Sequence, residues 1–281
     1  MQTLARAEQV IRWVPDPEPP LLRRVPDEPL HVGMDLGTAY LVLVVLDQDM
    51  QPLAGEYQFA QVVRDGLVVD YLGAVDLLVE MKQRVEQRLG RQLTHAASGY
   101  PPGVPQVEVR AVANVLEAAG LRCTALIGEP TAANALLCLR NGAIVDVGGG
   151  TTGIAILQDG EVVYTADEPT GGTHFSLVVA GAHNISFEAA EAMKINPAEQ
   201  ARLFPILRPV MEKVASIVER HVNVSHIQVE SLTLVGGASA YPGMAVVIEE
   251  YTGLPTFIPE RPLFVTPLGL AMHDRAPEGM S

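Results

Sequence analysis

Apolar residues along this chain come in short runs separated by polar or glycine-containing turns, and their spacing alternates between strand-like and helix-like stretches. The pattern predicts strands at 31–36, 40–47 and 52–59, a helix at 73–90, a strand at 94–99, a helix at 105–119, a strand at 122–127 and a helix at 130–140. It then starts again. Strands are expected at 142–147, 153–158 and 161–166, helices at 174–182, 186–194 and 198–222, a strand at 231–236 and a helix at 242–252. A three-strand meander followed by alternating helix and strand, written twice, describes two related α/β lobes with a cleft between them. The helices at 130–140 and 266–273 are expected to cross at the floor of that cleft and to act as its hinge.

Residues 1–30 differ from this pattern. Pro15, Pro17, Pro19, Pro20, Pro26 and Pro29 with interleaved acids read as an extended linker, since proline fixes φ and cannot donate to a ladder. Ahead of it Leu4, Ala7, Ile11 and Val14 recur at three-to-four spacing, either a short amphipathic helix that docks on a partner or a frayed tail. The expected division is therefore a tail at 1–30, a first lobe of 31–141 plus 266–281, and a second lobe of 142–265.

Composition narrows the function classes. With 281 residues, 48% of them hydrophobic, the chain can bury a sizeable core in one large or two modest domains. A net charge of −14, with no basic cluster longer than Arg23-Arg24, argues against a nucleic-acid partner. The longest uninterrupted apolar run, Tyr40 to Leu46, falls far short of the roughly 20 residues of a spanning helix. No basic segment followed by an apolar one opens the chain, so a cytoplasmic protein is expected. Cys123 and Cys138 lack metal spacing and read as buried reduced thiols.

Candidate chemistry lies in two glycine-centred segments, Val32-Gly33-Met34-Asp35-Leu36-Gly37-Thr38 and Val145-Asp146-Val147-Gly148-Gly149-Gly150-Thr151-Thr152. In each, an apolar run ends in Asp, then Gly, then a hydroxyl residue, and another apolar run follows. Glycine lets backbone N–H groups approach phosphate oxygens, the Thr hydroxyl adds a donor, and the Asp holds a hydrated Mg²⁺ or orients a water. Leu234-Val235-Gly236-Gly237-Ala238-Ser239, a strand running into a glycine turn and then a helix, makes room for a flat base and ribose. Glu129-Pro130-Thr131-Ala132-Ala133 opens a small-residue helix with Pro in its first turn, where it is tolerated.

These segments, in this order, resemble the actin, Hsp70 and sugar-kinase superfamily, and the resemblance runs from residue 31 to residue 273. It implies an actin-like ATPase (ribonuclease H-like) fold with two lobes around a nucleotide cleft. It also implies ATP or ADP with Mg²⁺ as the cofactor. By the same resemblance Asp35 and Asp146 would place the metal through water, and Gly37, Thr38, Gly148, Gly149, Gly150, Thr151 and Thr152 would line the phosphates. Glu129 would order the attacking water, with Thr151 close to the γ-phosphate. Gly171 and Gly172 would approach the phosphates, Gly236, Gly237 and Ala238 would hold the adenosine, and Glu191 and Lys194 would reach ribose and adenine. For the last two, an ordinary surface ion pair at i,i+3 is the alternative.

Within the superfamily, Asp65-Gly66-Leu67-Val68-Val69-Asp70, Ala96 to Gly103, Gly148 to Ile156 and Ala166 to Gly172 are similar to the Hsp70-like proteins of ethanolamine-utilisation operons. That resemblance implies a chaperone or assembly factor whose partner is a microcompartment enzyme or shell protein. Two departures stand out. The first-lobe insertion that carries a catalytic lysine in Hsp70 is reduced to about 60–72, where Arg64 is the only positive charge. Gly153 stands where the family's second phosphate loop commonly has Asp. Nucleotide binding thus rests on more residues than hydrolysis, and any ATPase activity should be slow. An actin-like filament or scaffold and a small-molecule kinase remain as alternatives.

Overall fold

The computed structural model describes residues 2–14, 16–64 and 66–275. Pro15 of the linker, Asp65 of the Asp65–Asp70 segment and residues 276–281 of the expected first lobe lie outside the described residues. The chain divides into two compact units, one running to Cys138 and resuming at Phe264, the other spanning Leu139–Leu263.

The first unit begins with helix α1 (Gln2–Val10) and strand β1 (Ile11–Trp13), then β2 (His31–Leu36), β3 (Tyr40–Leu46), β4 (Pro52–Phe59) and a small hairpin, β5 (Val63–Arg64) and β6 (Leu67–Val68). It continues with α2 (Tyr71–Leu89), β7 (His95–Tyr100), α3 (Gln106–Ala118), β8 (Arg122–Gly128) and α4 (Glu129–Leu137). The six-stranded sheet has the order β1-β4-β3-β2-β7-β8. Its β2-β3-β4 meander is antiparallel, while β7 and β8 join in parallel. Six consecutive residues of β3, Leu41 to Leu46, are fully buried, which is why that strand reads as an unbroken apolar run rather than an alternation. Helix α2 packs Ala74, Leu78, Met81, Val85 and Leu89 into the same core. Its ends are written locally: the Asp70 side chain accepts the Gly73 N–H at 3.0 Å, and left-handed Gly90 closes the C-terminus.

Of the two readings of the segment ahead of the prolines, the short helix is the one observed, and it packs on the first unit instead of standing free of it. Leu4, Ala7 and Val10 of α1 are buried, and Ile11, Arg12 and Trp13 pair in parallel with Gly55, Glu56 and Tyr57 at the sheet edge. The helix stops at Val10, so Ile11 belongs to a strand and not to the apolar helical stripe. Arg88 of α2 secures the join by donating to the Val10 carbonyl at 2.7 Å. The thiols also depart from expectation. Cys138 is exposed, and Cys123 is half-buried with its pKa pushed up to about 11, chiefly by burial.

The second unit contains β9 (Gly142–Val147), β10 (Thr152–Gln158), β11 (Glu161–Glu168), α5 (Gly172–His183), α6 (Phe187–Ile195), α7 (Pro197–Ser225), β12 (Leu232–Val235), α8 (Met244–Thr252) and β13 (Thr256–Phe257). Its sheet order is β11-β10-β9-β12-β13. Val145, Val147, Ile154, Ile156 and Leu234 turn to one face and join a core with Leu207, Met211 and Val214 of α7 and Met244 and Val247 of α8. The chain then returns to the first unit as α9 (Val265–His273). There α9 lies hard against α4 and β2: a side chain on Gly269 would come 1.8 Å from the Ala132 carbonyl oxygen, and one on Gly33 would come 2.3 Å from that of Pro267. Just past α9, buried Asp274 accepts the Val32 N–H at 2.8 Å and the Thr124 hydroxyl, fixing the helix end to β2 and β8.

Candidate functional site

In the second unit three glycine segments meet around the end of β9. The loop Gly148–Thr151 joins β9 to β10 and is closed by the Gly148 N–H donating to the Thr151 carbonyl at 3.0 Å. The start of α5 grips it from the side. The Gly172 N–H donates to the Gly148 carbonyl at 2.9 Å, and the Thr173 N–H donates to that of Gly149 at 2.7 Å. Nothing larger than glycine fits at 171, where a Cβ would lie 2.7 to 2.9 Å from three backbone atoms of Gly148, Gly149 and Gly150. The amides of Gly172 and Thr173 are thus used to hold the loop.

Asp146, the residue before the last in β9, pairs with Val235 of β12, so the glycine turn after β12 begins beside its carboxylate. Gly236 has φ +84, and a Cβ there would be 2.2 Å from Asp146 Oδ1 and 2.6 Å from the Val147 carbonyl oxygen. Both the turn and the close approach require glycine. The short 3-10 turn Gly237–Ala240 follows, held by the Ser239 hydroxyl donating to the Val235 carbonyl at 2.6 Å. Ala238 reaches the third segment, its Cβ lying 3.3 Å from where a Cβ on Gly172 would stand.

Three expected ligands, Thr152, Glu191 and Lys194, turn inward. The Thr152 side chain is fully buried and its hydroxyl donates to the Thr170 carbonyl at 2.6 Å, which clasps the start of β10 to the segment before α5. Lys194 of α6 donates to Glu191 Oε2 at 2.6 Å, to the Ser176 hydroxyl at 3.0 Å and to the Gly172 carbonyl at 3.2 Å. Ser176 in turn donates to Glu191 at 2.5 Å. Burial pulls the Lys194 pKa down while the neighbouring Glu191 carboxylate pulls it back up. The ion pair considered from spacing therefore exists, but it is buried, and it fastens α6 to the first turn of α5. Ser176 is the member sequence reasoning missed; its signal was the four-residue step from Gly172 along one helix face.

In the first unit Asp35 is half-buried in β2, and the hairpin turn beyond it contains Gly37 and Thr38. A Cβ on Gly37 would sit 2.7 Å from the Tyr40 carbonyl oxygen. Tyr40 opens β3 in an aromatic cluster with Trp13 at 5.4 Å and Phe59 at 5.8 Å between ring centroids. Glu129 opens α4, where a carboxylate suits the helix dipole, and Gly99 leaves the space its side chain crosses, a Cβ there lying 3.2 Å from Glu129 Cγ.

A nucleotide with Mg²⁺ fits the second-unit arrangement: the run Gly148–Gly150 carries no side chain to keep a phosphate from its backbone amides, and the Asp146 carboxylate beside it is of the kind through which Mg²⁺ is held together with phosphate oxygens and water. Among the described residues no group of three or more His, Cys, Asp or Glu could hold a metal ion. Among the described residues no helix is long and apolar enough to cross a membrane.

Comparison with known proteins places the chain. The family profile described as type IV pilus assembly protein PilM matches residues 116–266. Ethanolamine utilization protein EutJ of Salmonella typhimurium is 44% identical over 252 residues, covering 89% of this chain and 88% of that protein. The crystal structure of EutJ from Carboxydothermus hydrogenoformans superposes with a TM-score of 0.85 at 43% identity, over 90% of this chain and 92% of that one. MreB 5 of Spiroplasma citri, solved bound to AMPPNP, gives a TM-score of 0.70 at 18% identity, over 88% of this chain and 96% of that one. The last likeness is one of fold: the chain has the actin-like ATPase fold.

Proposed function

The chain belongs to the family of the ethanolamine utilization protein EutJ, with an actin-like fold that the PilM profile also covers, and on that premise we propose that it is a nucleotide-binding assembly or quality-control factor of ethanolamine utilisation. The observation that carries this reading is the convergence of Gly148–Gly150, Gly171–Gly172 and Gly236–Ala238 beside Asp146. ATP or ADP with Mg²⁺ is the ligand, and a microcompartment enzyme or shell protein in the cytoplasm is the partner. When bound, the metal supplies charge that stabilises the phosphates. In the second unit Asp146 would orient its water shell, and the loop backbone and the Thr151 hydroxyl would border the phosphates; in the first unit Asp35 would be a further water-orienting carboxylate and Glu129 the residue that holds the attacking water. With no lysine before Lys82 in the first unit, turnover falls below the roughly 1–100 s⁻¹ of kinases.

The test is calorimetric titration of Mg-ADP into the parent, Asp146→Ala and Gly149→Val. Both substitutions should weaken binding, the first by removing a water-orienting carboxylate and the second by placing a side chain where phosphate belongs. Unchanged affinity in both would sink the assignment.

A further inference from the structure

Gly153 is a glycine that its backbone does not require. It lies inside β10, and it is not among the residues with positive φ. An interior strand glycine weakens the strand, and it often marks a place where something approaches the backbone closely. What lies around it is specific. Gly153 pairs with Asp146 of β9 on one side and with Asp167 of β11 on the other, so the three residues form one row across three adjacent strands. Side chains of such partners share a face. Their neighbours show which face it is: Val145, Val147, Ile154 and Ile156 point into the core, and Glu168 reaches Arg220 and His221 of α7. Asp146 and Asp167 therefore lie on the opposite side of the sheet, flanking the opening that Gly153 leaves. A Cβ at 153 would stand 3.5 Å from Asp167 Oδ1 and 3.8 Å from the Asp146 Cβ, so the Asp167 carboxylate leans over the glycine.

We propose that Asp167 is the second carboxylate of the nucleotide site in this unit, holding with Asp146 the water shell of the divalent cation across the opening at Gly153. The proposal rests on the nucleotide reading above and adds to it a residue that the loop motif does not contain. A hydrated ion suits two carboxylates on strands that flank a glycine, because metal–oxygen distances of about 2.1 Å and water hydrogen bonds of about 2.8 Å let its shell reach both without either binding the ion directly. In this arrangement the acid has moved one strand outward, and Gly153 is the space it uses.

The experiment measures ADP affinity of the full chain by calorimetry, once with Mg²⁺ and once with EDTA, alongside each variant's thermal midpoint. In the parent, Mg²⁺ should strengthen binding. Asp167→Asn, which keeps the size and shape of the side chain, should reduce that strengthening about ten-fold or more while leaving the EDTA affinity at the parent value. Placing the acid on the neighbouring strand, Gly153→Asp together with Asp167→Gly, should restore most of the Mg²⁺ effect. A role limited to folding would move the midpoint and both affinities together, and that result overturns the proposal. So does an Asp167→Asn protein that keeps the full Mg²⁺ dependence, or a relocated acid that leaves a stably folded protein without it. A parent that binds ADP in neither buffer overturns the nucleotide reading and this inference with it, whereas Mg²⁺-dependent binding indifferent to Asp167 overturns this inference alone.

Discussion

The two Asp–Gly hairpins of this chain are spelled alike and fastened by different forces. The first, Asp35 to Thr38, leads into Tyr40, whose ring sits among Trp13, Tyr57 and Phe59, so the strand beyond the turn is held by aromatic packing. The second, Asp146 to Thr152, is held by hydrogen bonds: Gly172 and Thr173 to the loop carbonyls, Thr152 to Thr170, and the Lys194–Glu191–Ser176 group behind them. A shared motif thus specifies a turn and its neighbouring carboxylate without specifying what keeps the turn in place. The practical difference is in sensitivity. Apolar packing responds to volume, while polar contacts respond to pH, salt and the loss of a single partner.

The largest effect should come from the backbone grip on the second hairpin. Gly171→Ala brings a methyl group within 2.9 Å or less of three backbone atoms of Gly148, Gly149 and Gly150, none of which can rotate aside. A cost of about 4 kcal/mol is expected, above the usual range for overpacking because all three are met together. Thermal or urea unfolding reads it directly. A loss below about 1 kcal/mol would mean that α5 and the loop are not locked together, and the contrast between the hairpins would fail.

Next comes the first hairpin. Trp13→Ala removes the ring that packs on Tyr40 at 5.4 Å and on Tyr57 at 4.9 Å, and since Trp13 is only half-buried the expected cost is about 2 kcal/mol, less than a fully buried aromatic would give. The loss should be the same at every pH at which the protein is folded, because no ionisable group is removed. This outcome also separates the observed N-terminal segment from the tail expected from sequence. A detached tail would tolerate Trp13→Ala without change in unfolding midpoint.

That segment shows where the sequence stops being legible. The long elements were readable because each carries its own period: β3 as a continuous apolar run, α2 with a core stripe, an Asp cap and a closing glycine. The glycine loops were readable because their composition is restrictive. In residues 2–13 the helix was readable from Leu4 and Ala7, but the strand after it and its docking were not, since a three-residue edge strand has no period of its own and its partner, β4, lies more than forty residues further on. Two-residue β13 escaped notice for the same reason. Within the candidate site, Asp146, the three glycine segments and the Glu191–Lys194 pair were found from their neighbours in sequence. The place of Ser176 beside Lys194, and of Asp167 opposite Gly153, was not, because what sets them is helix packing and strand register.

The smallest effect sharpens the comparison through pH. Glu168, at the end of β11, accepts from His221 at 3.0 Å and from Arg220 at 2.7 Å, tying the second unit's edge strand to α7. The His221 hydrogen bond, with Arg220 adding to it, holds the Glu168 carboxyl below the ordinary glutamate value against an opposing desolvation cost. For an acid whose folded pKa is depressed, the stabilisation is present above the unfolded value and is lost as pH falls through the folded one. Glu168→Gln should therefore cost something near neutral pH and nothing once the parent's carboxyl is protonated. Because the group is about one-third exposed and its partners reach solvent, the neutral-pH cost should stay below about 1 kcal/mol and shrink in high salt. Urea unfolding of parent, Glu168→Gln and Trp13→Ala across the acid range gives the comparison. The glutamate variant's deficit should close as pH falls while the tryptophan variant's stays constant, and parallel curves for all three would show that the hydrogen bonds around β11 carry no more charge dependence than the aromatic cluster around Tyr40.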